Sequence, residues 1–475
     1  MKTLLVVGAL AVGFAALSHA QAQAKPPQRE RPERGPTTDF DSGFVRIPGA
    51  AAGAEGIAAS VLIPRPARFP NGAPVVINVT GGVQSGSARG RPEYVGHGFV
   101  EIHFAFPGGG SGEERSGGRY DFRGTNCIRA LADVIRFATG RIADQNGRRI
   151  GDVARGVTVL TKNVGVVGSS HGGNACGMAL ALYGAEFPDL AWYASMESPY
   201  GEGAANVELG GRDSGLNPVY DPKTGGLDLS RLAWSPDISP GLMRKPMLVN
   251  PRALQGAFFF DLDGDGHFSE PKDFPVNSFV GDAGDGVKAW YSPRIIAEAE
   301  KRKLIPGARP RHVPTLAEAT EFWRYRDAAP SIAEAVRNCP NLAVIVYANE
   351  RDHVQADPAH THILEQVEGF RKAGGRLVRL NPDRAYVGSV VPKSPAFQRA
   401  AQFPDNPAGL TWTRANIAAG VEPSALPLGI YMQAAVCELA DRTQAGAWAA
   451  NLDAVLFPDV PKPPAFPPGR RLAPR

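Results

Sequence analysis

The residues richest in possible chemistry are Gly168-Ser169-Ser170-His171-Gly172. A serine hydroxyl attacks carbonyl carbons only when a neighbouring base takes its proton. Gly-x-Ser-x-Gly is the pattern that sets such a serine on a sharp turn between a strand and a helix. The flanks agree with that geometry. Val164 to Val167 reads as a short buried strand, and His171 to Tyr183 as a helix that opens on small residues. In so tight a turn the positions two residues either side of the serine must be small, and both are glycine. Acyl transfer at Ser170 also needs donors for the developing oxyanion. One is the backbone N–H of His171. The other comes from the turn Thr80-Gly81-Gly82-Val83, with Gly82 as the expected donor.

A second constellation lies further on. Asp261, Asp263 and Asp265 alternate and are followed by Gly266, which matches the first half of an EF-hand-type calcium loop. The His267 carbonyl takes position seven. Position twelve is Lys272 where a glutamate is usual, with Glu270 and Asp273 nearby. A structural Ca2+ is the cofactor expectation, and no cofactor is expected for catalysis.

These residues need a scaffold, and apolar strands alternating with amphipathic helices supply one. Gly43–Ile47 and Ile57–Ile63 read as a hairpin. Pro74–Val79, Phe99–Phe106, Val164–Val167, Leu190–Met196, Asn341–Tyr347 and Arg376–Leu380 read as strands. Helices are expected over Asn126–Thr139, His171–Tyr183, His360–Lys372 and Leu428–Asp441. Such alternation implies an α/β fold, doubly wound around a mostly parallel sheet covered on both faces. The interval between the strands ending at Met196 and starting at Asn341 is too long for a simple crossover. It predicts a large cap inserted between the sixth and seventh strands.

Residues 1–24 read as a secretory leader: Lys2, an apolar stretch from Leu4 to Leu17, and small-x-small sites at Ala20-Gln21-Ala22 and Ala22-Gln23-Ala24. The domain expectation is therefore a leader over 1–24 and a Pro- and Arg-rich disordered linker over 25–38. The core follows over 39–197, the cap over 198–340, the rest of the core with C-terminal helices over 341–459, and a Pro-rich tail over 460–475. A periplasmic or secreted enzyme follows from the leader. Four cysteines in an exported chain permit two disulfides. A net charge of +4 spread over 475 residues predicts no nucleic-acid footprint, and no stretch is apolar enough for a membrane span.

From about Ile57 to Leu380 the chain resembles the α/β-hydrolase superfamily, nearest to its dienelactone-hydrolase and prolyl-oligopeptidase-like branches. Pro74–Gly82, the Gly-rich segment Pro107–Gly112 with Tyr120-Asp-Phe-Arg-Gly124, the elbow at Ser170, and Tyr347–Asp352 carry the likeness. The resemblance implies a Ser-His-acid triad at the carboxyl ends of the strands, with the acid after the seventh strand and the histidine after the eighth. Asp352 fits the acid position. No histidine follows Leu380; the last in the chain is His362. The base must then come from an earlier loop, and His353, first histidine after the seventh strand, is the candidate. His360 and His362 are expected to cap a helix or lie at the surface. Glu197, at the end of the sixth strand, stands beside Asp352 as a second candidate acid. The expected function is hydrolysis of a small-molecule carboxylic ester through an acyl-enzyme. A prolyl-oligopeptidase-like peptidase and a non-catalytic, calcium-stabilised binding protein are the alternatives.

Overall fold

The computed structural model describes residues 40–201, 208–211, 215–221, 226–240, 254–348, 352, 360–383, 386 and 432–448. The expected leader, linker and Pro-rich tail, and His353, lie outside the described residues. Eight strands form the central sheet: β1 (Phe40–Gly49), β2 (Gly53–Pro64), β3 (Ala73–Val79), β4 (Val100–Phe104), β5 (Val159–Ser169), β6 (Leu190–Met196), β7 (Ala343–Tyr347) and β8 (Leu377–Leu380). Their order is β1-β2-β4-β3-β5-β6-β7-β8. β1 pairs antiparallel with β2 and β2 with β4; every later pair is parallel.

The central strands are buried on both faces, which is why Ala73 to Val79 carries no alternation of polar residues. Adjacent residues serve opposite layers. Val75, Ile77, Val166, Tyr193 and Val344 pack into one core with α1 (Thr125–Ala138) and α2 (His171–Tyr183). Val76, Val167, Trp192, Ala343 and Ile345 pack into the other, which α7 (Met432–Ala445) covers. Asp121 starts α1: its carboxylate accepts the Gly124, Asn126 and Cys127 N–H groups, satisfying first-turn donors and countering the positive helix end.

The alternation also disposes of the disulfides. Cys127, Cys176, Cys339 and Cys437 are all free thiols. Cys127, Cys176 and Cys339 lie in the α1–α2 core, and Cys437 lies in the core across the sheet. No second pair can form through the sheet, so the expectation of two bridges is corrected: these cysteines act as small apolar side chains.

Between β6 and β7 the chain leaves the sheet. It forms a three-stranded antiparallel ladder from Leu232–Ser235, Ala257–Phe260 and Phe274–Pro275, and a hairpin from Phe279–Asp282 and Val287–Trp290. Two helices follow, α3 (Pro293–Arg302) and α4 (Leu316–Arg324). These elements share their own aromatic core, in which Trp290 and Phe322 stack with centroids 4.2 Å apart. α5 (Ile332–Asn338) then returns to the core that holds α2. After β7, α6 (Thr361–Lys372) leads to β8. Among the described residues no helix is long and apolar enough to cross a membrane.

Candidate active site

Ser170 sits where β5 turns into α2. Its backbone has φ 50° and ψ −125°, a conformation that costs a non-glycine residue about 1–3 kcal/mol. The surroundings hold it there. The Ser170 N–H donates to Met196 O at 2.7 Å. Gly168 passes so close to α2 that a Cβ on it would stand 2.5 Å from Gly173 Cα, and one on Gly172 would stand 2.3 Å from Val79 O. The expected glycines are therefore fixed by close backbone approach, as the sequence pattern implied.

The turn after β3 reaches the same place. A Cβ on Gly81 would lie 3.2 Å from Ser170 Cβ, and Gly82 adopts φ 67°. The expected oxyanion segment thus touches the Ser170 turn. The His171 N–H stands in the first turn of α2, where N–H groups lack acceptors within their own helix.

Three neighbouring strand ends are tied in series. Glu197, the residue after β6, has φ 43°, is 2% exposed, and donates its N–H to Tyr347 O at 3.0 Å. Asn381, the residue after β8, donates its N–H to Val346 O, and its side-chain oxygen accepts the Ala348 N–H. An asparagine that holds the end of β7 thus occupies the place where the resemblance put a histidine. Ser170, Glu197 and the end of β7 share one edge of the sheet.

At that edge Asp352 has a partner which the sequence did not indicate. His362 Nε2 lies 2.9 Å from Asp352 Oδ2, and both side chains are about 1% exposed. His360 is buried as well, at 4%. Neither histidine lies at the surface, because the first turn of α6 is laid against the core. Four residues on, Gln366 accepts from the Ser195 hydroxyl at 3.0 Å and donates to the Tyr193 hydroxyl, which donates to Gly173 O. His362 lies on the same helix face one turn nearer the helix start, about 6 Å along the axis. Ser195 is the second-last residue of β6, so that displacement carries His362 to the carboxyl edge of the sheet, on the side that carries α2.

The insertion meets the site along α2. Val83, Phe122, Arg123, His171, Phe279 and Trp323 are among the residues that enclose a small pocket there. His171 faces into it, edge-on to Phe279 with centroids 4.6 Å apart. Trp323 is a wall of this pocket and donates its indole N–H to Tyr291 O. Phe122 and Arg123 have φ 57° and 67°, a second strained turn next to the first. Arg326 binds that turn to α4, donating to the carbonyls of Phe122 and Phe322 at 2.7 Å each and to that of Asp121. Nothing in the sequence pattern singled out either arginine. The signal available was Tyr120-Asp-Phe-Arg-Gly124, quoted for the likeness but given no role.

Burial, helped by the Arg123 and Arg326 guanidiniums, pushes the His171 imidazole down to about 3. An unfolded chain protonates its histidines near 6.5. Between about 6.5 and about 3 the unfolded state therefore binds the extra proton, so this group's contribution is full above 6.5 and is lost as pH falls. His171→Leu should move the acid-unfolding midpoint to lower pH than in the parent. An unshifted midpoint in circular dichroism would contradict this account of His171.

In the acidic loop, oxygens of Asp261, Asp263 and Asp265 lie within 4.8 Å of one another. Lys272, at the twelfth position, places Nζ 2.9 Å from Asp263 Oδ2, and this contact holds the Asp263 carboxyl below its ordinary range. Asp261 accepts the Gly264 and Gly266 N–H groups, and Asp265 that of His267. Asp273 is turned to the Leu262 and Ser269 N–H groups.

The strand order and the elbow together constitute the α/β-hydrolase fold. No family model matches the chain, and no curated protein sequence matches it. Solved structures similar to it include carboxyl esterase 2 of Tuber melanosporum, with 11% identity over 74% of this chain and 78% of that one at a TM-score of 0.35. Brefeldin A esterase, described as a bacterial homologue of human hormone sensitive lipase, has 11% identity over 87% and 77% at 0.39. A thermostable esterase from Pseudomonas putida has 11% identity over 72% of each chain at 0.33.

Proposed function

We propose that the protein hydrolyses carboxylic esters through an acyl-enzyme at Ser170, with His362 as base and Asp352 as the acid that orients it. The observation that carries this reading is the buried Asp352–His362 pair on the same sheet edge as the strained Ser170 turn. In the first step Ser170 Oγ attacks the carbonyl carbon as its proton passes to the imidazole. The His171 N–H and the Gly81–Gly82 segment stabilise the oxyanion, and the protonated imidazole then donates to the departing alkoxide. Water hydrolyses the acyl-enzyme by the same steps in reverse order. A fluorophosphonate probe should label the parent rapidly and at Ser170 alone. Labelling elsewhere, or none, would favour a binding protein on this fold.

We also propose that the acidic loop takes a structural Ca2+, held by Asp261, Asp263, Asp265 and the His267 carbonyl, with Lys272 displaced. Three converging carboxylates support this, and the Lys272 ammonium opposes it by competing for the same charge. An ion bound only by the folded state stabilises by about 2.7 kcal/mol at a hundredfold excess over Kd. Calcium should therefore raise Tm relative to chelator, and Lys272→Glu, which supplies the missing twelfth ligand, should give the same rise at lower calcium. Superimposable melting curves for both proteins in chelator and in excess calcium would rule the ion out.

A further inference from the structure

We propose that His362 works with its ring reversed: Asp352 holds Nε2, and Nδ1 is the atom that takes the Ser170 proton. This deepens the reading of His362 as the base and rests on it. The familiar triad is arranged the other way, with Nδ1–H held by the acid and Nε2 facing the serine. Here it is Nε2 that lies 2.9 Å from Asp352 Oδ2. In a neutral imidazole one nitrogen donates and the other accepts. A carboxylate only accepts, so Nε2 carries the proton and Nδ1 the lone pair. Nδ1 is then the one basic atom of the ring. It is buried, and among the described residues it has no hydrogen-bond partner, Ser170 included. A buried acceptor without a donor is costly, and a hydroxyl brought to it removes that cost. Catalytic hydrogen bonds often close only when substrate binds. Turning the ring over does not restore the familiar arrangement. A half-turn about Cβ–Cγ exchanges Nε2 with Cε1, which would set a carbon against Asp352.

Nδ1 is bonded directly to Cγ, whereas Nε2 stands one bond further out. A base that works through Nδ1 therefore has a shorter reach, and its helix must be placed more closely. The structure supplies that placement. Gln366, one turn beyond His362, accepts from the Ser195 hydroxyl and donates to the Tyr193 hydroxyl, which donates to Gly173 O. The Ser195 hydroxyl also lies 2.7 Å from that of Ser198. All four side chains are buried. Gly173 follows Ser170 by three residues in α2, so one buried chain of polar groups ties the helix of the base to the helix of the nucleophile. Directional bonds fix a register along which a purely apolar helix face could slide.

In the acylation step Ser170 Oγ bonds to the carbonyl carbon and its proton moves to the Nδ1 lone pair, while Nε2–H stays with Asp352. The Nδ1 proton then passes to the departing alkoxide as the carbonyl carbon–alkoxide bond breaks. In deacylation a water oxygen bonds to the acyl carbon and gives a proton to Nδ1, which returns it to Oγ as the acyl–Oγ bond breaks.

The test reads the two nitrogens directly, by long-range proton–nitrogen correlation on the full chain with isotope-labelled histidine. Nε2 couples to both ring C–H protons and Nδ1 strongly to one, which tells them apart. The His362 signals are those lost in His362→Gln, or, where that variant does not fold, those displaced in Asp352→Asn. In the free protein with a neutral ring, Nε2 should carry the proton and Nδ1 should be bare. After a fluorophosphonate has modified Ser170, a second proton should appear on Nδ1 and persist to higher pH than in the free protein. A proton on Nδ1 with Nε2 bare in the free protein would overturn the reversal. Side-chain amides give an independent measure, since glutamine sets its nitrogen near the place of Nε2 and asparagine near that of Nδ1. His362→Gln should keep a Tm closer to the parent than His362→Asn; the opposite order would also overturn the reversal. No adduct at Ser170, or full ester turnover in His362→Ala, would instead bring down the esterase reading itself, whichever nitrogen carries the proton.

Discussion

Ser170→Ala should fold like the parent and lose ester turnover by a factor on the order of 10⁴ to 10⁶, the range seen when the nucleophile of a triad is removed. The loss is large because acylation has no other route. In the proposed mechanism the His171 N–H and the Gly81–Gly82 segment would still bind the carbonyl, but no covalent bond would form. Folding should be preserved because alanine keeps the Cβ that serine has at φ 50°, so the strain of the turn is unchanged. Ser170→Gly sharpens the point. Glycine adopts positive φ without penalty, so this variant should be equally inactive yet more stable than Ser170→Ala, by about 1 kcal/mol. That would show a turn held in a costly conformation for the sake of the hydroxyl it presents. Parent-like kcat/KM in Ser170→Ala, measured with an aryl ester, would overturn the assignment.

His362→Ala should lower kcat by about 10³-fold or more and leave KM nearly unchanged, since the base acts in the transition state and does not bind substrate. Asp352→Asn should have a smaller but still large effect, because an amide cannot stabilise the imidazolium that forms. If Asp352, whose carboxylate lies 2.9 Å from the His362 imidazole, is the orienting acid as proposed, Glu197→Gln should cost less than Asp352→Asn. Both members of the pair are buried, so losing this bond should cost about 1–3 kcal/mol of stability. His362→Gln retains a donor toward Asp352 and should recover stability without activity, which separates a base from a structural contact. His353→Ala and His360→Ala complete the set. Full turnover in His362→Ala together with collapse in His353→Ala would move the base to the loop after β7.

Most of the scaffold was legible in the residues themselves. The run Ala73 to Val79 is apolar without alternation because both faces are covered, and the glycines at 168 and 172 mark the elbow because no Cβ fits there. These demands of backbone geometry and burial leave their mark in short stretches of sequence, even where, as for Gly172 against Val79, the constraint comes from a distant strand. The strand that precedes Ser170 is longer than its apolar stretch suggested, running from Val159; its early, partly exposed half pairs with β3 only at Ala73.

The partners within the site depend instead on contacts that no local pattern carries. His362 was expected to cap a helix or lie at the surface; one face of α6 is buried against β6, and this brings His362 to Asp352. The two disulfides were allowed by the count of cysteines and excluded by a sheet that keeps Cys437 apart from the other three. In the sequence Arg123 stood only as part of Tyr120-Asp-Phe-Arg-Gly124. It becomes a buried, unsatisfied cation only because α4 and the Phe279 hairpin, distant in sequence, close over it. Sequence fixes what each residue can do and which backbone it can tolerate. Which of them meet, and which charge is left without a partner, is decided by the packing of segments far apart in the chain.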